Sequence, residues 1–296
     1  MLLIYTNDLT NRLKFVFNQI CNRILSIPIS FTTKVETFIS HEGPKISYAP
    51  QALGNEFFIK SHGLLFDQGI SDVEINVQSW KETKCFFYSG ENSNLPFDIF
   101  SAAFYLLSRY EEYLPHVKDN YGRFTKNDSI AFKYNFLTQP VVDIWALYFK
   151  EALQQHFPKQ HFPSSKFSIE PVIDVPMAYY FKSKGLFRTL GGIFSDLINF
   201  RFQLFYDRFF VLSKFKKDPY DNFEWIINSQ KKLKQRFTIF FLVGDYTKFD
   251  KNISITKKSF ITLIKSMRDY CEVGLKCSYM ALGDLIILKK EKQGLD

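Results

Sequence analysis

The run from Phe237 to Val243, FTIFFLV, constrains the fold more than any other stretch. It is apolar apart from Thr238 and is bounded by Arg236 and Gly244. A near-continuous apolar strand has no face to offer water, so it belongs inside a parallel sheet with helices on both sides. That requirement predicts an α/β arrangement for the second half of the chain. Ile169 to Asp174 is expected as another buried strand, with Val172 and Ile173 at its centre. Cys271 to Leu275 is expected as a third, after a helix over Ser259 to Tyr270. Parallel strands bring their carboxyl ends to one edge, where loop side chains can meet a ligand. Asp174 ends the first strand and Asp245 follows Gly244 just past the second, so both are expected on that edge. Either residue can equally serve as a turn or cap.

The first half is expected to be α+β. Leu2 to Tyr5 reads as a strand, and Asn7 or Thr10 caps a helix with Leu13, Val16, Phe17, Ile20 and Ile24 on one face. Val35 to Phe38 is expected as a short strand or turn, Gly43 to Tyr48 as a strand, and Glu56 to Ile59 as another. Val73, Ile75 and Val77 alternate with Glu74, Asn76 and Gln78, the pattern of a half-buried strand running to Trp80. Lys84 to Tyr88 would pair with it as a hairpin. A helix then covers LPFDIFSAAFYLLSRYEEYLP, with Pro96 near its first turn and Pro115 as its stop. Its Arg109, Glu111 and Glu112 invite a catalytic role, although adjacent charges at a helix end are more often structural. Pro140 to Phe157 forms the next helix. Pro158 to Lys166, PKQHFPSSK, is poor in apolar residues and marks the boundary between domains over 1–160 and 167–296.

Beyond that boundary, Leu186 to Lys216 reads as a long helical region with Gly191-Gly192 as its expected break. Leu190, Ile193, Leu197, Phe200, Leu204 and Val211 alternate along it with Arg201, Arg208, Lys214 and Lys216. Packing against a sheet or barrel is the ordinary use of such a helix; lying on a membrane surface is the other. Asp218 is expected to cap a helix that has Pro219 at its first position and runs to about Lys234. No apolar run nears the roughly 18 residues of a membrane-spanning helix. Four cysteines without paired spacing, and no signal sequence, fit a reducing cytoplasm.

Charge is unevenly placed. Of a net +8, the residues from Phe162 onward hold 23 Lys and Arg against 14 Asp and Glu, or +9. That basic half can face an anionic glycan or a membrane surface, and it gives no clear nucleic-acid signal; a solvated lysine-rich surface is the plain alternative.

Taken in order, PVIDVPMAYYFKSKGLFRTLGG, KKDPYDNFEWI, FTIFFLVGDYTKFDKNIS and DYCEVGLKCSY resemble the divergent bacterial polysaccharide deacetylases that carry an extra amino-terminal domain. The resemblance runs from the first residues to about Tyr279. It implies a (β/α) barrel that removes acetyl groups from glycans. One Asp acts as general base on a water, and a divalent metal such as zinc polarises the acetyl carbonyl. In that family the first strand ends in Asp-x-Asp, and the Glu-Val-Gly strand ends in histidine. By position Asp174 matches the base, Pro176 stands at the metal-binding Asp, and Lys276 stands at the histidine. Proline brings no donor atom and an ammonium repels a cation, so no metal cofactor is expected. All five histidines, His41, His62, His116, His156 and His161, precede Ser168. Cys271 and Cys277 are not spaced as a usual zinc pair.

Three strand–helix units fall short of the family's barrel. A partial barrel or open parallel sheet is therefore expected, its free edges available to a protein partner. A truncated reading frame or a degenerate paralogue accounts for both departures. The functional expectation is a polysaccharide deacetylase-like protein without activity of its own. A glycan-binding or partner-binding module and a peripheral membrane protein are the alternatives.

Overall fold

All five residues of the opening strand β1 (Leu2–Thr6) are buried, as a central strand requires. The computed structural model describes residues 1–164 and 167–295. Ser165 and Lys166, the end of the expected linker, lie outside them. The chain divides into two units between Lys166 and Phe167.

In the first unit Thr10 caps α1 (Asn11–Phe17), its hydroxyl accepting from the Leu13 N–H at 3.1 Å. The helix continues as a π-helical segment, Asn18–Ile24, before β2 (Ile29–Thr32). Then come α2 (Val35–Ser40), β3 (Lys45–Ala49) and β4 (Phe57–Lys60). The strand order is β2-β1-β3-β4, and every pairing is parallel. Helices separate β1, β2 and β3 in the α/β manner, whereas β4 follows β3 directly and the remaining helices come together after it, as in the α+β domain expected. Val35–Phe38 is helical where a strand or turn is expected. Val35 and Phe38 lie three apart, which puts both on one helix face against Leu3 and Tyr5.

The alternating stretch from Val73 forms a strand only at its end, as β5 (Gln78–Trp80) against antiparallel β6 (Thr83–Cys85). The ladder stops there because Phe86 and Phe87 turn into the core, Phe87 with φ of 66°. The following helix is shorter than its sequence pattern. α3 (Ile99–Leu107) starts after Asp98, whose carboxylate accepts from the N–H groups of Phe100 and Ser101, so Pro96 precedes the helix. It ends where Arg109 adopts a left-handed φ of 55°. After the short α4 (Ile130–Lys133), α5 (Val141–His156) closes the unit, with Trp145, Phe149 and Leu153 fully buried.

The second unit is a three-stranded parallel sheet in the order β7-β8-β9. It runs β7 (Val172–Val175), α6 (Leu186–Ile198), α7 (Phe202–Leu212), α8 (Phe223–Leu233), β8 (Thr238–Leu242), α9 (Lys258–Arg268), β9 (Glu272–Lys276) and α10 (Leu285–Leu295). The apolar run that demands coverage is β8, and it is central. Ile239 and Phe241 are wholly buried among Phe223 and Ile226 of α8 and Phe260, Ile264 and Met267 of α9. β7 departs from the expected buried strand. As an edge strand it leaves Val172 60% exposed and Asp174 accessible.

Two further differences concern the segment between β7 and β8. The helical break falls at Asn199–Arg201, where Phe200 has φ of 53°, and Gly191 and Gly192 sit inside α6. Gly192 is there for space: a Cβ would lie 2.5 Å from the Arg208 guanidinium, which crosses the helix at that point. Asp218 caps no helix, since α8 begins after Asn222. Its buried carboxylate instead accepts the N–H groups of Tyr180 (2.8 Å), Phe181 (2.8 Å) and Lys182 (3.1 Å). No helix among the described residues is long and apolar enough to cross a membrane.

Candidate functional site

The carboxyl edge of the second sheet holds Asp174, Asp245 and Lys276. Register places Asp174 of β7 beside Phe240 of β8, and Phe240 beside Gly274 of β9. Lys276 is two residues beyond Gly274, hence on the same face. Its ammonium reaches across the central strand and meets Asp174 Oδ2 at 2.5 Å. Gly274 leaves the Phe240 ring its room, because a Cβ there would lie 2.5 Å from the ring. Asp174 is 56% exposed and Lys276 33% exposed, so water reaches the pair. One Asp174 oxygen is therefore an acceptor for an ammonium.

The loop after β7 is set by Asp218. Burial raises the Asp218 carboxyl, but the N–H groups of Phe181, Tyr180, Lys182 and Tyr220 outweigh it and hold it below the usual carboxylate range. Pro176 lies in this loop, beyond the end of β7.

Asp245 is not brought to Asp174. It follows β8 and pairs with Lys290 of α10 at 3.0 Å, both side chains being largely exposed. Beneath that pair lies a cavity of about 160 Å³, lined by Gly244, Ile255, Ser278, Ile287 and Glu291 among others. Glu291 is 5% exposed and accepts the Ser278 N–H at 3.1 Å through one oxygen. Its other oxygen has no hydrogen-bond partner, and neither has the side-chain oxygen of buried Asn252. The Asn252 amide N–H donates to the carbonyls of Leu242 (3.3 Å) and Gly244. Gly244 is obligatory, since a Cβ would sit 2.5 Å from the free Glu291 oxygen. Of these two acceptors Glu291 lines the cavity, where an unmet acceptor suits a group that carries N–H or O–H.

The residues do not fit a catalytic divalent ion. Among the described residues no group of three or more His, Cys, Asp or Glu is clustered to hold one. An ammonium about 4 Å from a divalent ion costs roughly 8 kcal/mol at an effective dielectric of about 20. Cys271 is buried, and burial raises its thiol, whereas Cys277 is exposed. In the first unit, Arg109 pairs with Glu112, and Glu111 accepts Ser129 Oγ (3.1 Å) and the Ile130 N–H (2.8 Å) at the start of α4. That charged trio is structural. The polar centre of this unit is Asp98, fully buried, which takes the Tyr48 hydroxyl at 2.7 Å and the His62 N–H at 2.8 Å.

Sequence reasoning reaches Asp174, Asp245 and Lys276 but misses Glu291, Asn252 and Ser278. KKEKQ reads as a basic tail after a short apolar helix, and nothing local marks Glu291 as its buried residue. Asp98 was discoverable, since an acid directly before IFSAAF is an N-cap signal.

No curated protein sequence and no solved structure matches the chain. A family model does match, over residues 2–158, and its description is a family of unknown function, DUF7033. That match covers more than half of the chain, and the protein belongs to the DUF7033 family.

Proposed function

We propose that the chain is a polysaccharide deacetylase-like protein whose second unit has no metal-dependent hydrolysis of its own. The Lys276–Asp174 pair, closed at 2.5 Å, carries this reading. By the resemblance, Asp174 is the general-base position, and Lys276 replaces a metal-binding histidine. A fixed ammonium at that carboxylate supplies positive charge without Lewis acidity and without an activated water. The three-stranded open sheet is, on this reading, part of a deacetylase-type barrel fold.

The test is metal content together with turnover. Purified protein, incubated with zinc and desalted, should retain far less than one equivalent by elemental analysis. It should also release no acetate from an acetylated oligosaccharide. Stoichiometric zinc with turnover abolished by Asp174→Asn would overturn the proposal.

The cavity under Asp245 and Lys290 favours a second reading, glycan binding without chemistry. Its donorless Glu291 oxygen matches a sugar hydroxyl, and the unit's positive charge suits an acidic polymer. Calorimetric titration with acidic and neutral oligosaccharides decides this, and Glu291→Gln should weaken any binding seated there.

A further inference from the structure

Helix α6 is packed inside out. At 100° per residue, Leu186, Phe187, Leu190, Phe194, Leu197 and Ile198 share one side of it, and Arg188, Thr189, Gly192 and Asp196 share the other. A surface helix of a globular domain turns the apolar side inward. Here the polar side faces the protein. Arg188 donates to the Asn252 carbonyl at 3.1 Å, and Arg208 of α7 grips one Asp196 oxygen through two nitrogens, at 3.0 and 2.7 Å. Asp196 and Arg208 are buried, while Leu186 is 80% and Phe187 93% exposed. Helix α7 repeats the arrangement, with Val211 buried and Phe202, Tyr206 and Phe209 exposed. Phe215, between Lys214 and Lys216, is 82% exposed. An apolar surface of this extent marks an interaction site.

Charge selects the occupant. Residues 182–217 hold eight Lys and Arg and two acids. Asp196 is engaged by Arg208 and Asp207 by Lys216 at 2.7 Å, while Lys182 and Lys217 pair with Asp221 (3.5 Å) and Glu224 (3.7 Å) outside the span. Among the described residues Lys184, Arg188, Arg201 and Lys214 have no acidic partner, and their charge is left for an external one. A second copy would set this excess against itself. An anionic bilayer complements both features: aromatic and aliphatic side chains enter the headgroup boundary, and Lys and Arg meet lipid phosphate. At 13 and 11 residues, interrupted at Phe200, the two helices are too short to span and suited to lying flat.

We propose that the α6–α7 hairpin is an interfacial anchor that seats this protein on anionic membrane surfaces. The test is sedimentation of the full chain with mixed phosphatidylglycerol–phosphatidylcholine vesicles and with pure phosphatidylcholine vesicles. Binding is expected to the anionic vesicles and to fall steeply as salt is raised toward about 1 M. Phe187→Ser with Phe194→Ser should lower partitioning roughly a hundredfold, since two exposed rings leave the interface. Both positions are exposed, so the variant should keep the parent's circular dichroism. Lys214→Gln with Lys217→Gln tests the charge separately and should lower binding several-fold. Absence of vesicle binding, equal binding to both lipids, or an undiminished Phe variant would overturn the proposal. So would a concentration-dependent dimer, in sedimentation velocity, that the Phe substitutions abolish while lipid binding persists.

Discussion

Helices α5 and α6 are written in the same pattern and used in opposite senses. Each has an apolar side and a polar side at helical spacing. In α5 the apolar side faces the sheet, and Trp145, Phe149 and Leu153 disappear into the first core. In α6 it faces out, and an Asp196–Arg208 pair fastens the polar side to the rest of the unit. Amphipathicity therefore states that one side must be covered, and says nothing about what covers it. Where the local partner is a β-sheet face the answer is internal. Where the local partners are Asn252 and Arg208, the latter lying over the Phe181 ring, the apolar side is left for something outside.

This contrast makes predictions of decreasing size. Truncation of the inward side should be severe: Trp145→Ala should cost about 3–5 kcal/mol, seen as a lower denaturant midpoint for the first unit. An unchanged midpoint would mean that α5 is not the closing element described. The base of the hairpin should come next. Asp218→Ala strands four N–H groups and should cost about 2–3 kcal/mol, with hydrogen exchange accelerated first at Tyr180 to Lys182. Because the folded Asp218 carboxyl lies below its ordinary value, its contribution is complete above the unfolded value of about 3.9. It is lost as pH falls through the lower folded value, so acid should loosen this loop before it melts β8. Truncation of the outward side should be nearly silent. Phe194→Ser should shift stability by no more than about 0.5 kcal/mol in solution. A loss like that of Trp145→Ala would erase the contrast.

Much of the fold is legible where local and tertiary demands agree. FTIFFLV requires a covered central strand and becomes β8, and Thr10 caps α1 because the Leu13 N–H needs an acceptor there. Legibility fails where a long-range partner decides. Asp218 sits beside a proline and looks like a helix cap, yet three of the four donors it serves are 36 to 38 residues earlier in the chain. Val172 and Ile173 read as buried, but burial depends on neighbours on both sides, and β7 has β8 on one side only. The candidate site divides the same way. Asp174 and Lys276 can be located from strand ends alone. Glu291 cannot, because it is α10 folding over the strand ends that takes it out of water.

The tether at Asp218 has a topological consequence. A single carboxylate joins the N–H of Lys182 to the residue immediately after Lys217, so the whole span between them leaves and returns through one point. Such a loop is closed at its neck, with Ser183 on Ser259 Oγ and Arg188 on the Asn252 carbonyl among its side-chain ties to the rest of the unit. Its excision, with a short splice from Lys182 to Asp218, is expected to leave the strand order beneath it unchanged.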